Sequence, residues 1–239
     1  MNMKTLGNLI INGVGSSNGG SFEKVGLNGK GTVNSDIECK RFHCNGTATI
    51  HGNVKTEKGK ISGAAKIHGA VKAESFVING SADISEAVSC QNLEVAGRST
   101  IGGSVKCEVI VVNGKVTIEG DCEAEVFRAE GTFSVDGLLN AETIDIKLFG
   151  DSKAKEIGGR KIKVTQHRET LLKLIKSIFP LKLEADLIEG DDIELEGTAA
   201  LVVRGKNVKI GKNCEIGLVE YSGVYECAAE AEVKELRKI

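Results

Sequence analysis

The sequence predicts an all-β protein built as a triangular parallel β-helix, a solenoid whose chain winds in stacked 17-residue coils. Two observations lead to this fold. Glycines recur at a constant spacing along the first 150 residues, and apolar residues alternate with polar ones between them. A short amphipathic helix and further β coils are expected after the main repeat.

The glycine spacing sets the length of a coil. Seven glycines follow one another at every seventeenth position without insertion, namely Gly29, Gly46, Gly63, Gly80, Gly97, Gly114 and Gly131. The positions four and eight residues after each glycine are apolar in all seven repeats. Because one repeat cannot bury its apolar side alone, successive repeats must stack. We expect an N-terminal tail at residues 1–8 and about eight coils over residues 9–150.

Within each repeat the apolar residues fall at every second position, which is typical of strands with one buried face. Three such short runs fit into one repeat. Asn-Gly pairs, such as Asn28-Gly29 and Asn45-Gly46, stand where the chain must turn between runs. Both residue types tolerate positive φ, so we expect these corners to use a left-handed backbone conformation.

Residues 151–180 interrupt the repeat and form a basic segment, with eight Lys and Arg against three Asp and Glu. We interpret it as a linker. Within it, residues 169–179 predict an amphipathic helix that ends before Pro180. Its apolar face comprises Leu171, Leu172, Leu174, Ile175, Ile178 and Phe179, flanked by Lys173 and Lys176. The helix either lies on an anionic membrane or docks a partner, or it folds against the solenoid as a cap or strap.

Strand-like alternation returns after Pro180. Segments such as Ile193–Leu195 and Val208–Ile210 predict additional β coils over residues 181–225, with a repeat nearer fifteen positions. These coils either continue the same solenoid or form a second short one. Residues 226–239 are compatible with a terminal helix or a tail.

The composition argues against several classes of function. The net charge is −2, so no global field attracts nucleic acid. Seven cysteines, an odd number, fit a reducing compartment. The sequence shows neither a signal peptide nor an apolar run of roughly 18 residues, which indicates a cytoplasmic protein. It has no Gly-x-x-x-x-Gly-Lys-Ser/Thr loop, so no nucleotide cofactor is expected.

The polar side chains that recur from coil to coil predict a surface without a catalytic or metal-binding site. His51 and His68 occupy equivalent outward positions, with His43 nearby, but no third metal ligand converges on them. Cys90 and Cys107 are equivalent inward positions whose proximity would permit a disulfide, and buried free thiols are the favoured interpretation. A column of glutamates preceded by lysines indicates an exposed Lys and Glu zipper rather than a calcium site. We therefore expect no catalytic residue, metal, cofactor or small-molecule substrate.

The ends of a β-helix invite a second copy, because unpaired strand edges and an apolar cross-section are a template for further pairing. At the N-terminal end, our hypothesis places the polymer interface at Leu9, Ile11, Val25 and Leu27. The expected partner is therefore another copy of the chain, in a homopolymer, and not nucleic acid.

With its 17-residue period, its Asn-Gly corners and a later block from Ile188 to Tyr221, the sequence resembles the bactofilins, a family of polymer-forming bacterial cytoskeletal proteins. The resemblance covers about residues 9–150 and, for longer bacillus-type members, the later block. It implies a right-handed β-helix that polymerises end to end without nucleotide. It also implies a cytoplasmic scaffold, often associated with the membrane, that positions cell-envelope, cell-shape or motility proteins. The roughly 90 residues after the main repeat depart from typical members, which have short tails.

An enzymatic alternative starts from Val208–Gly217, whose spacing is similar to that of left-handed β-helix acyltransferases. Those enzymes need sustained hexapeptide repeats and a catalytic histidine at a subunit cleft, and His167 in the linker is the nearest histidine here. A β-helix that binds or cleaves polysaccharide would need exposed aromatic residues and clustered carboxylates. With two Tyr, seven Phe and no Trp, the composition favours the scaffold over both.

Overall fold

The computed structural model describes residues 6–166 and 181–239. In these residues the protein is an all-β parallel solenoid with about 13 coils and no helix. The fold comprises two compact units. The first contains residues 6–110 and 114–119, and the second contains residues 111–113, 120–166 and 181–239.

The described residues form 22 strands. Those that lie mainly in the first unit are β1 (Asn8–Ile11), β2 (Val14–Ser17), β3 (Gly20–Leu27), β4 (Lys30–Val33), β5 (Ile37–Cys44), β6 (Thr47–Ile50), β7 (Val54–Ile61), β8 (Ala64–Ile67), β9 (Val71–Ile78), β10 (Ser81–Ile84), β11 (Val88–Val95), β12 (Arg98–Ile101), β13 (Val105–Val112) and β14 (Lys115–Ile118). Those of the second unit are β15 (Cys122–Ala129), β16 (Thr132–Leu148), β17 (Ser152–Gln166), β18 (Leu183–Leu195), β19 (Thr198–Ile210), β20 (Glu215–Tyr221), β21 (Tyr225–Cys227) and β22 (Glu232–Lys238).

The coils of the first unit follow the 17-residue repeat. Equivalent strands pair in parallel, so that Ile50 lies beside Ile67 and Val54 beside Val71. A repeating coil holds one strand of four residues and one of eight. In β7 the buried alternation breaks at two consecutive exposed residues, Glu57 and Lys58, and then resumes. The three predicted runs are therefore present, and two of them are joined in one strand.

The core consists of columns in which side chains of successive coils complement one another. Phe42, Gly59 and Phe76 occupy one column, and both phenylalanine rings are fully buried. A Cβ atom on Gly59 would lie 2.2 Å from Cδ2 of Phe76. The missing side chain of Gly59 thus makes room for the ring of the next coil, which keeps the packing density of the core uniform.

The regularly spaced glycines are required by the close approach of backbones. In five successive coils, a Cβ atom on the glycine would lie 1.9–2.0 Å from the carbonyl oxygen of the equivalent glycine in the preceding coil; these are Gly46, Gly63, Gly80, Gly97 and Gly114. Among the described residues, positive φ occurs elsewhere, at Gly19, Gly20, Gly197 and Asn213. The prediction of left-handed Asn-Gly corners is therefore wrong, because the constraint is the space between coils and not the backbone conformation.

The asparagines at these corners form a ladder. Asn45 Nδ2 donates to Asn28 Oδ1 at 2.9 Å, and Asn28 Nδ2 donates to Asn12 Oδ1 at 2.9 Å. The amide of Asn28 thus donates to the coil before it and accepts from the coil after it. The side chains add hydrogen bonds along the stacking direction to those of the backbone.

The structure differs from the linker that we predicted over residues 151–180. Its first part, residues 152–166, is strand β17, which pairs in parallel with β16 and β18. The alternating residues Ala154, Ile157, Ile162 and Val164 are buried. Their basic neighbours point outward and form ion pairs with acidic residues of adjacent coils: Lys153 with Asp136 at 3.5 Å, Lys163 with Glu194 at 3.3 Å, and Arg160 with Glu142. Positive charge that is matched in this way is compatible with a coil.

Gln166 and Leu181 lie at the same corner, where Gln166 Nε2 donates to the carbonyl oxygen of Leu181 at 3.1 Å. The predicted helix at residues 169–179 lies outside the described residues. After Leu181 the coils resume with a slightly different length. Leu183 of β18 lies beside Thr198 of β19, and Ala199 of β19 lies beside Glu215 of β20.

The C-terminal segment also differs from the predicted helix or tail. Residues 232–238 form β22, which pairs in register with β20. Val233 lies beside Ile216, and Leu236 lies beside Val219. Ile216 and Val219 are buried, so β22 extends two columns of the core, and this pairing favours a strand over a helix.

Replacing Gly63 with Ala tests the glycine column. The new Cβ would lie 2.0 Å from the carbonyl oxygen of Gly46, so coils must separate at this corner. We expect the free energy of unfolding in urea to fall by about 3 kcal/mol or more. Gly13→Ala is the matched control, because a Cβ there meets nothing within 4 Å. Equal stability of the two variants would contradict the close-approach explanation.

Replacing Ser99 with Ala tests a buried hydroxyl that has no hydrogen-bond partner among the described residues. The equivalent position in the preceding coil is Ala82, so alanine fits the column. We expect stability to rise by about 1 kcal/mol, because the substitution removes an unsatisfied polar group. In the control, Thr56→Ala, stability should fall, because the Thr56 hydroxyl donates to a carbonyl oxygen at 3.2 Å and accepts from the Cys39 thiol. Thermal denaturation of both variants measures whether the midpoint temperature rises in Ser99→Ala and falls in Thr56→Ala.

Candidate assembly surface

The first coil of the solenoid has one open side. Strands β1 and β2 pair in parallel with β3 and β4, with Leu9 beside Val25 and Ile11 beside Leu27. Their other edges have no strand partner within residues 6–166 and 181–239. The backbone N–H and C=O groups along those edges are therefore free to pair with another strand.

The first coil is apolar on its outside as well as on its inside. Val14 is 88% exposed, and the equivalent outward positions in the next two coils are Lys30 and Thr47. Ile10 is 45% exposed and lies over Gly26, while the next outward position in its column is His43. Leu6, just before β1, is also exposed. In both columns an apolar side chain thus stands at the open end, where the next two coils carry glycine or a polar residue.

The glycine corner of the first coil is also open. A Cβ on Gly29 would lie 2.1 Å from the carbonyl oxygen of Gly13, whereas a Cβ on Gly13 meets nothing within 4 Å. In the coils that follow, this direction points at the backbone of the preceding coil. The Asn ladder likewise has its last described member at Asn12, which accepts from Asn28. The corner of the first coil therefore exposes to solvent a flat glycine backbone and an asparagine amide, which in the following coils lie against the neighbouring coil.

The four residues of the predicted polymer interface lie in two different places. Leu9 and Ile11 belong to the first coil, and Leu9 is partly exposed. Val25 and Leu27 are fully buried beneath that coil, so they contact β1 and not solvent. The sequence prediction missed Leu6, Ile10 and Val14, which form the accessible surface instead. Comparing each outward position of the first repeat with its equivalents in the next two repeats would have identified Ile10 and Val14.

The second unit ends with a similarly uncovered column. Ile188, Val203, Val219 and Leu236 lie beside one another in successive coils. The first three are fully buried, and Leu236 in β22 is 52% exposed. Ile239 is exposed as well. The last strand therefore covers the core beneath it and leaves its own apolar side chains partly uncovered.

A carboxylate holds this last strand in place. Glu220 is buried and accepts from Arg204 Nε at 2.8 Å and from an Arg237 guanidinium nitrogen at 2.9 Å. Arg204 also donates to Glu189 at 3.2 Å. The hydrogen bond from Arg204, together with the charges of both guanidinium groups, lowers the pKa of Glu220 below its ordinary value of 4.5. Arg237 belongs to β22, so the ion pair ties that strand to β20.

The histidines and the surface charges that we examined in the sequence do not assemble into a site. The rings of His51 and His68 stack with centroids 5.0 Å apart, and burial and the nearby Lys24, Lys60 and Arg41 lower the pKa of His43. No group of three or more potential metal ligands occurs within the described residues. The exposed lysines and glutamates pair between coils, as in Lys55 with Glu38 at 2.5 Å and Lys40 with Glu23 at 3.0 Å.

Helices that could span a membrane are absent from the part of the chain that the structure describes. The proposed apolar face of residues 171–179, with its lysines, lies outside those residues.

Comparison with known proteins places the chain among relatives from one bacterium. It is 60% identical over 238 residues to the uncharacterized protein YhbE of Bacillus subtilis (strain 168), covering 99% of this chain and 100% of that protein. The chain belongs to the YhbE family. The uncharacterized protein YhbF of the same strain is 43% identical to it over 102 residues, covering 42% of this chain and 41% of YhbF. No family model and no solved structure matches the sequence.

For this member of the YhbE family, acidification tests the role of Glu220. A carboxylate whose pKa is lowered on folding stabilises the fold above its unfolded pKa, and the stabilisation is lost as pH falls through the folded pKa. We expect amide exchange in residues 232–238, corrected for its intrinsic rate, to be well protected at neutral pH and to lose protection below the ordinary glutamate pKa.

At neutral pH, Glu220→Gln should reduce the same protection by roughly tenfold, because charge-assisted hydrogen bonds are lost. The control is Glu235→Gln, which removes an exposed carboxylate from β22 itself. If the amides of β22 are equally protected from exchange in both variants, the Glu220 ion pairs do not hold the strand.

Proposed function

We propose that the protein is a non-enzymatic, nucleotide-independent scaffold that assembles end to end through the terminal coils of its solenoid. The observation that carries the proposal is the first coil, which is apolar on its outside and open at its edge. A coil in this position gains by stacking on another coil, because stacking buries Ile10 and Val14 and pairs the free backbone groups.

The geometry of the corner supports stacking of a second copy. Among the described residues no atom lies within 4 Å of a Cβ built on Gly13, and Asn12 has an amide with further hydrogen-bonding capacity. A copy that placed a glycine corner or another flat backbone against Gly13 would continue the arrangement already made by Gly13 and Gly29. The partly exposed Leu236 at the end of the second unit supplies a second apolar end for the same purpose.

The cellular role in this proposal comes from the resemblance to bactofilins. A parallel β-solenoid is compatible with such a scaffold. We propose that the coils are right-handed and triangular, and that the polymer is cytoplasmic and positions cell-envelope, cell-shape or motility proteins. Contact with an anionic membrane or with a partner through the basic amphipathic sequence of residues 169–179 is part of the proposal.

Two substitutions in the first coil test the assembly. Gly13→Val adds bulk at the open corner, where a Cβ meets no described atom within 4 Å, and Val14→Asp places a charge at the apolar rim. We expect both to abolish sedimentable polymer and filaments seen by electron microscopy without nucleotide. The circular dichroism spectrum should stay that of a β-solenoid, since neither side chain is part of the core.

The matched control for the charge is Thr47→Asp, which changes the same outward column two coils away. This variant should assemble like the unaltered protein. Filaments that persist in both Gly13→Val and Val14→Asp would exclude stacking on the first coil. Discrete trimers of the unaltered protein that turn over an acyl donor would instead favour the acyltransferase.

A further inference from the structure

Two thiols of the first unit face each other across neighbouring coils. Cys90 in β11 and Cys107 in β13 are 17 residues apart, and their Sγ atoms are separated by 3.0 Å. Both are free thiols. A disulfide requires the sulfur atoms to approach by only about 1 Å more, and the spacing of about 4.8 Å between paired strands lies within the Cα separations that disulfides span.

These thiols differ from the cysteines that serve only to fill the core. Cys44, Cys122 and Cys214 are almost completely buried, and the thiols of Cys44 and Cys214 lie against backbone carbonyl oxygens. Cys90 and Cys107 are 9% and 7% exposed, slightly more than those three. Their column needs no sulfur for its volume, because the equivalent position two coils after Cys39 is Ala73.

Cys39 provides an internal comparison in the same column. It is 6% exposed, which matches the exposure of the pair. Its neighbour in the next coil is Thr56, whose hydroxyl oxygen lies 3.6 Å from the Cys39 sulfur. Burial raises the pKa of Cys39. Cys39 therefore lies in the same column as Cys90 and Cys107 and is buried to a similar depth. It differs from them in having no second sulfur beside it.

The contact between the two sulfurs gives them different acidities. The two thiols share a hydrogen bond in which either sulfur can donate, and this contact lowers the pKa of Cys107 and raises that of Cys90. A thiolate is the reactive form of cysteine toward oxidants. Cys107 is therefore the sulfur suited to react first, and Cys90 is held at bonding distance from the product.

We propose that Cys90 and Cys107 are a modification site, a dithiol that hydrogen peroxide converts reversibly into a disulfide between two neighbouring coils. This site goes beyond the scaffold function and does not rest on it. Assembly is assigned to the first coil, whereas the dithiol lies between β11 and β13.

The reaction balances in two steps. The Cys107 thiolate attacks one oxygen of the peroxide, so that an S–O bond forms, the O–O bond breaks and hydroxide leaves, giving a sulfenic acid. Cys90 then loses its proton and attacks the Cys107 sulfur, forming the S–S bond and releasing the second hydroxide. The released protons and hydroxides give two water molecules for each peroxide. A dithiol reductant reverses the modification by thiol-disulfide exchange.

The disulfide would fasten two layers that are otherwise held by hydrogen bonds and packing alone. It closes a loop of 17 residues, and closure of such a loop restricts the unfolded chain. Oxidation should therefore slow amide exchange in residues 88–112, and reduction should restore it.

Mass spectrometry of the full-length protein tests the proposal. After treatment with stoichiometric peroxide and alkylation of remaining thiols, trypsin separates the two cysteines by cleavage after Arg98 and Lys106. We expect a linked pair of peptides, lighter by two hydrogen atoms than the separate peptides, that dithiothreitol resolves. Cys39 should remain alkylated over the same time. Oxidation of Cys39 as fast as Cys107, or oxidation without a link between Cys90 and Cys107, would overturn the proposal.

Two variants test the need for both sulfurs. In Cys90→Ala and in Cys107→Ala the remaining thiol lacks the hydrogen bond with its partner, so each variant should react with peroxide at least roughly tenfold more slowly than the pair, and no linked peptides should form. Alanine occupies this column at Ala73, so both variants should fold, which circular dichroism checks. Oxidation of either variant as fast as that of the unaltered protein would contradict the role of the pair, and sedimentation of the oxidised, unaltered protein shows whether the disulfide changes assembly.

Discussion

At one corner of each coil in the first unit, the backbone lies so close to the preceding coil that no Cβ atom fits between them. This spacing is a consequence of parallel strand pairing, because hydrogen bonds between coils hold successive layers at about 4.8 Å. Only glycine allows the chain to turn there without opening the ladder. The whole repeat depends on this constraint, since one glycine per turn of the solenoid brings each coil back into register with the last.

Register between coils in turn explains the core. Equivalent residues stack in columns, so the volume of one side chain limits its neighbours along the column. Gly59 illustrates the limit, because the ring of Phe76 in the next coil occupies the space of its missing side chain. Equivalent residues on the outside also stack in columns, and there the charge of one side chain, rather than its volume, determines which neighbour fits. Lysines and glutamates of adjacent coils pair across the layers, and the basic residues of β17 are matched by acids on either side.

The same stacking makes the two proposals independent of each other. Inside the solenoid, identical residues in adjacent coils meet at contact distance, and two cysteines in such positions become a dithiol. At the end of the solenoid, a residue has a neighbour on one side only, and the apolar side chains of the first coil are left for another molecule. The chain belongs to the YhbE family, but the assembly proposal rests on the exposed apolar side chains of the first coil and not on that membership.

The sequence by itself determined the parallel coils, their length and most of the core columns, because period-two alternation and the glycine interval are local signals that repeat. The tertiary structure decided what depends on neighbours. It showed that the glycines avoid a backbone oxygen rather than adopt positive φ, and that Val25 and Leu27 lie beneath the first coil. It also showed that residues 152–166 and 232–238 are strands. Those segments are strands because they pair with coils that lie next to them in space and well apart in the chain, through backbone hydrogen bonds, core columns and ion pairs.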